Sequence, residues 1–270
     1  MIEISDTSFD LLKSSNYTLS IRLIPSGFCF AVSDKEMNLL YFASCEDSFP
    51  ADNEVVTKPF GQVYLCVDTN TYTLIPNPVY QPELQEQYWN LNFGFLSPME
   101  KLQADNVRLT DIVNLFSYPV YDQRLMELKK KFPFARLIHR QSVQLCLATM
   151  RNKQTNNKQL FIHILNASFD VICMEKGSVI LANTYDYHNE DEFLYFVLNI
   201  FEQLKLDSHT VEVVVGGSPA GREKELLLKY LRNVQEDPQP IMKPLSEPFL
   251  KHSDILNKQY TLINIPFAIN

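Results

Sequence analysis

The residues that most invite a chemical reading are Gly216-Gly217-Ser218-Pro219-Ala220, which follow an apolar run at 211–215 and precede a helix-forming stretch. A serine on such a strand-to-helix turn is the setting of a hydrolase nucleophile. That chemistry needs the residue after the serine to donate its backbone N–H to an oxyanion, and Pro219 has none. The second glycine of G-x-S-x-G is also replaced, by Ala220. Ser218 reads instead as a helix cap with Pro219 in the first helical position.

Other chemistries find less support. The histidines at 139, 163, 188, 209 and 252 show neither H-x-x-x-H nor H-E-x-x-H spacing, so the sequence gives no metal site. The five cysteines, Cys29, Cys45, Cys66, Cys146 and Cys173, are odd in number and lack C-x-x-C spacing. Each lies among apolar residues, where a free thiol behaves as a small hydrophobe, and a reducing compartment is expected. Neither G-x-x-x-x-G-K-[ST] nor G-x-G-x-x-G occurs. Only 7 glycines stand among 270 residues, where average usage gives roughly 19. The acidic stretch 186–192 is explained by a helix N-terminus rather than by divalent ions.

Lys129, Lys130, Lys131, Arg136, His139 and Arg140 form the one basic cluster. Lysines in the last turn of a helix, before a break at Pro133, are preferred to a polyanion site. The whole chain carries 24 basic and 32 acidic residues, net −8. Such a field repels phosphate backbones and excludes general nucleic-acid binding. Tyr80, Tyr88, Trp89, Phe93 and Phe95 lie in a proline-punctuated segment, 73–95. They either fill a core or offer a partner-binding surface, with Trp89 expected to be buried and Tyr80 exposed.

The elements that must position these residues follow from apolar patterning. Residues 18–32 read as two strands turning at Pro25-Ser26-Gly27, and 39–43 as a third. Strands follow at 61–66 and 72–75. Pro76, Pro78 and Pro82 argue against regular structure after them. A short helix is expected at 83–91. The second half repeats the opening pattern after a helix at 142–150: strands at 160–165, 169–174 and 179–183, with a turn at Lys176-Gly177. Asn189 then caps a helix with Glu192 at the capping-box position. Phe193, Phe196, Val197, Ile200, Phe201 and Leu204 give that helix one buried stripe. The strand at 211–215 and the helix carrying Leu226, Leu227, Tyr230 and Leu231 complete the unit. Three antiparallel strands followed by helical crossovers, occurring twice, predict an α/β protein of two lobes facing across a cleft.

This pattern resembles the actin-like superfamily, in which two ribonuclease-H-like lobes with mixed sheets enclose a nucleotide. The second half is similar to the bacterial branch, the cell-division actin homologue and the actin-like proteins of pilus assembly and type II secretion. Val213-Val214-Val215-Gly216-Gly217-Ser218-Pro219-Ala220-Gly221 matches that family's adenosine motif. His163-Ile164-Leu165-Asn166-Ala167-Ser168-Phe169-Asp170-Val171 corresponds to its second phosphate turn, D-x-G-G-G-x-T-D-V. Arg22-Leu23-Ile24-Pro25 stands at its first, D-I-G-T. The chain also resembles a Bacteroidetes domain-of-unknown-function family.

The resemblance implies a first lobe at 1–135, with 250–270 returning to it, and a second at 136–249. It implies a remnant of a nucleotide cleft at Ser26, Gly27, His163, Asn166, Ser168, Gly216, Gly217 and Ser218. The family's magnesium-positioning carboxylates correspond here to Arg22 and His163, and three phosphate-turn glycines to Leu165, Asn166 and Ala167. Magnesium takes hard oxygen ligands, and close approach to a phosphate favours glycine. A pseudo-ATPase is therefore expected: no metal, no catalytic residue and no resident cofactor, with ATP or ADP the only ligand left open. Arg22 and His163 either contact a bare anion or are satisfied polar residues at strand ends, and the second is preferred. The expected partner is another protein. Residues 1–6 lack the features of a signal peptide, and no apolar run reaches the ~20 residues of a membrane span. A cytoplasmic protein is expected.

Overall fold

The computed structural model describes residues 2–24, 27–46, 53–155, 157–165, 167–217, 220–237 and 241–269. The chain divides into two compact units, Met1–Gln144 with Ile241–Asn270, and Leu145–Pro240.

The first unit opens with β1 (Ile2–Ser5), then β2 (Thr18–Ile24), β3 (Gly27–Ser33) and β4 (Leu39–Glu46). The helical turn α1 (Glu54–Thr57) leads to β5 (Gln62–Val67). β6 (Tyr72–Pro76), α2 (Gln85–Phe93), β7 (Glu100–Val107) and β8 (Ile112–Pro119) follow, then α3 (Gln123–Lys131), β9 (Arg136–His139) and α4 (Arg140–Asn152). The main sheet has the order β1-β4-β3-β2-β5-β9. β2, β3 and β4 are antiparallel neighbours, while β5 and β9 join parallel. Every residue of β3 is buried, as its continuous apolar sequence requires for a strand covered on both faces.

The second unit contains β10 (Lys158–Ile164), β11 (Ser168–Glu175), β12 (Ser178–Asp186), α5 (Glu190–Gln203), β13 (Glu212–Gly217), α6 (Ala220–Leu227) and β14 (Val234–Glu236). Its sheet runs β12-β11-β10-β13-β14, with β10, β11 and β12 antiparallel and β13 and β14 parallel. Leaving β1 aside, both sheets have the same strand order and directions. They share a finer feature as well. Register skips Leu40 near the start of β4 and Ile180 near the start of β12, a bulge in the third strand of each unit. The turn at Lys176-Gly177 has both residues at positive φ, 52° and 77°, the twist-matched hairpin that a Gly-containing pair favours.

The chain ends with four short helices: α7 (Glu247–Leu250), α8 (Ser253–Lys258), α9 (Tyr260–Ile263) and α10 (Ile265–Ile269). They belong to the first unit, where Phe249, Leu256, Leu262 and Ile265 are fully buried. The division between units falls at Gln144/Leu145 and Pro240/Ile241. Residues 136–144 thus lie with the first unit, because β9 is the last strand of its sheet.

Some elements depart from the sequence expectations. β1 was not expected, nor was the three-stranded sheet β6-β8-β7. The prolines after β6 are not irregular: 3-10 turns form at Asn77–Val79 and Pro82–Leu84, since proline fits the first positions of a helical turn. Asn189 caps α5 by accepting the N–H of Glu192 at 2.9 Å. Glu192 answers one residue earlier than a capping box requires, accepting the N–H of His188 at 2.8 Å. Among the described residues, no helix is long and apolar enough to cross a membrane.

Candidate functional site

In the first unit, Arg22 sits on β2 beside Cys66 of β5. It is buried, and Asp68, one residue past the end of β5, receives it. Arg22 Nη2 lies 2.6 Å from Asp68 Oδ2, and Nε donates to the same oxygen at 2.8 Å. Nη1 donates to Gln259 Oε1 at 3.2 Å, from the loop between α8 and α9. Burial works against the guanidinium's charge, but the Asp68 carboxylate more than offsets it and holds the pKa of Arg22 above its ordinary value. Beside it, burial pushes the Cys66 thiol up, which disfavours the thiolate. Gly27, paired with Ile24, opens β3. Ser26 lies outside the described residues.

A second buried polar group lies where β5 and β9 lead into α4. Asp105 of β7 and Asn114 of β8 are cross-strand partners. Asp105 Oδ2 accepts the His139 N–H and the Ser142 hydroxyl, each at 2.8 Å. Asn114 Nδ2 donates to Ser142 Oγ at 3.0 Å and lies 3.1 Å from His139 Nδ1. His139 Nε2 lies 2.9 Å from the Thr69 carbonyl, which fixes its proton on Nε2 and leaves Nδ1 to accept. Arg140 donates to that same carbonyl and to Asn70 Oδ1, both at 2.9 Å. Burial pushes Asp105 up to about 6, against the two hydrogen bonds that favour its charge. Among the described residues, its Oδ1 has no hydrogen-bond partner. The basic cluster is therefore divided. The three lysines form the last turn of α3, while His139 and Arg140 are buried structural groups.

In the second unit, His163 of β10 stands in register with Gly216 of β13 and Asp170 of β11. Asp170 is buried and accepts the Thr184 hydroxyl at 2.5 Å. Gly217 has φ 89°, and a Cβ there would come within 2.1 Å of the Ile164 carbonyl oxygen and 3.0 Å of His163 Nδ1. The glycine is demanded by the backbone of its own sheet. Ser168 is buried at the start of β11, and its carbonyl accepts the Leu165 N–H at 2.8 Å, closing the β10–β11 turn. His163, Gly216 and Gly217 come together, with Ser168 at the neighbouring turn. Asn166 and Ser218 lie outside the described residues.

The aromatic segment divides. Trp89 is buried against Ile75 and Leu115, with Tyr80 and Tyr88 packed around it. Tyr80, expected to be exposed, is half-buried because its ring packs on Tyr88 beside the Trp89 cluster, whereas Phe95 is 95% exposed. Of Tyr80, Trp89 and Phe95, Phe95 alone is exposed, which favours the core role over a binding surface. Sequence reasoning missed Asp68, Asp105, Asn114 and Gln259. The only local signal was an acid directly after an apolar strand, at Val67-Asp68.

A family model described as Protein of unknown function (DUF3822) matches residues 6–234. Among solved structures, a Bacteroides thetaiotaomicron protein with an actin-like ATPase fold and unknown function superposes with a TM-score of 0.73 at 20% identity, over 85% of this chain and 93% of that one. The PilM–PilN type IV pilus biogenesis complex matches with a TM-score of 0.54 at 12% identity, over 93% and 97%. No curated protein matches the chain.

Proposed function

The chain belongs to the DUF3822 family and has the actin-like ATPase fold, and from this premise we propose that it is a non-catalytic module that binds another protein. The observation that carries this reading is the Arg22–Asp68 pair. Where the resembling family places a magnesium-positioning carboxylate, this chain has a buried guanidinium. It draws the nearby carboxylate to itself, so these residues do not fit a hard divalent cation, which needs oxygen ligands free to turn toward it. His163 supplies no carboxylate at the second position either. A protein partner is supported by analogy with PilM, which forms a complex with PilN. The buried cysteines fit a reducing compartment, and we place the module in the cytoplasm. Its negative charge argues against nucleic acid.

A second reading, a nucleotide-binding switch without hydrolysis, draws on the strand-Gly216-Gly217-helix order of β13 and α6. Calorimetric titration with ATP and ADP, with and without magnesium, alongside phosphate release, separates the two. Neither heat of binding nor magnesium-dependent release above background is expected. Binding without release would favour the switch. Turnover that Arg22→Ala or His163→Ala abolishes would overturn the non-catalytic reading.

A further inference from the structure

The third strand of each duplicated sheet is the strand whose outer edge decides what the sheet meets next. In the first unit β4 carries β1 on that edge, antiparallel, with Ile2 opposite Ser44 and Ser5 opposite Tyr41. In the second unit β12 is the last strand, and among the described residues nothing pairs with its outer edge. Aligning the bulges at Leu40 and Ile180 sets Tyr41 of β4 on Leu181 and Ser44 on Thr184. Among the described residues, the chain covers one of two equivalent edges with its own N-terminal strand and leaves the other open.

Open edges are usually blunted by shortness, by lysine or by proline. β12 has nine residues and contains no Lys, Arg or Pro. Its bulge re-aims only the start. Further along, the N–H of Thr184 is taken by the neighbouring Asn183 Oδ1 at 2.9 Å, a local stand-in that an incoming carbonyl can replace. Charge gives the edge a direction. Asp191 is exposed in the first turn of α5, which follows β12 in the chain, and Asp186 is exposed at the C-terminal end of β12 itself. Lys176 is exposed at the other, where the Lys153 side chain lies against the turn at Gly177. An antiparallel strand enters at the acidic end and leaves at the basic one.

We propose that the β12 edge receives, by antiparallel strand addition, an extended segment of a partner protein with Lys or Arg before an alternating β-branched run and Asp or Glu after it. The main-chain ladder supplies the attraction and the flanking charges the direction. The site shares no residue with the Arg22 pair, so this inference and the non-catalytic reading fail separately.

The test uses the full chain and two peptides: Lys-Lys-Val-Thr-Ile-Thr-Val-Glu-Glu and its charge-reversed form, Glu-Glu-Val-Thr-Ile-Thr-Val-Lys-Lys. Hydrogen exchange read by mass spectrometry locates binding, and calorimetry gives affinity. At saturation the first peptide is expected to slow exchange across 181–186, and the reversed peptide to bind about tenfold more weakly. Asp186→Lys with Asp191→Lys is expected to erase that preference while protection in β10 and β13 stays unchanged, which reports an intact fold. Equal affinity for both peptides, protection outside 178–186, or no binding of either overturns the proposal.

Discussion

Arg22 and Asp68 show how one residue type changes what a position can do. Removing the guanidinium in Arg22→Ala strands a carboxylate that keeps only 20% of its side-chain surface exposed. The expected loss is about 3 kcal/mol, the low end for a broken buried pair because Asp68 retains some solvent. Urea unfolding of Arg22→Ala measures it, and Arg22→Leu, Asp68→Leu and the Arg22→Leu/Asp68→Leu double variant close the cycle. The double variant should lose less than the sum of the singles, since two apolar groups leave no stranded charge; additive losses would remove the pairing argument. Asp105 makes a pH prediction. Its folded pKa of about 6 lies above the ordinary 3.8, so between those values the folded protein holds more protons than the unfolded chain. Its contribution to stability is therefore full below that window and is lost as pH rises through about 6. Asp105→Asn keeps an oxygen for the His139 N–H and the Ser142 hydroxyl but cannot ionise. Relative to wild type, the variant should be less disadvantaged at pH 7 than at pH 4.5 in denaturant melts. An unchanged difference would mean that Asp105 titrates normally.

At the scale of elements, two glycines with similar backbones separate strain from crowding. Gly94, after α2, has φ 76° and open space where a Cβ would go, whereas Gly217 has φ 89° and the Ile164 backbone in the way. Gly94→Ala should cost only the strain of its backbone, φ 76° with ψ −160°, a region that is essentially glycine's own, about 1–3 kcal/mol. Gly217→Ala should cost clearly more, because β10 must move away from β13; equal shifts in melting temperature would contradict this. Whereas the short edge strands β1, β9 and β14 were not legible, β2 to β5 and β10 to β13 were, because their apolar runs have nothing else to do. The stripe at 193–204 announced α5 for the same reason. β7 was not legible: Glu100, Lys101, Gln103, Asp105 and Asn106 read as solvent-facing polarity, yet Asp105 is buried, accepting the His139 N–H of β9 and the Ser142 hydroxyl of α4. Spacing singles out Gly216-Gly217, but it does not reveal that the sheet itself demands Gly217. The Arg22–Gln259 contact spans 237 positions, and no pattern within one element encodes it.

At the scale of the molecule, the first unit is built from both ends of the chain and the second from one uninterrupted stretch. Arg108 Nη1 donates to the Phe267 carbonyl at 2.5 Å, and Gln259 closes the Arg22 site. A chain ending at residue 240 should therefore lose protection across β2, β3 and β5 while keeping it in β10, β11 and β13. Hydrogen exchange would show this directly, and full protection in both units would mean that the C-terminal helices are dispensable. The discontinuity also sets an order of birth. Domains fold during synthesis roughly as they leave the ribosome, ordinarily from the N-terminus onward. Here the unit that starts first must wait: residues 145–240 are complete while the polypeptide that will seal the earlier sheet is still being made. The nascent protein matures from the middle outward, and until residues 241–270 emerge the N-terminal sheet lacks the helices that cover it.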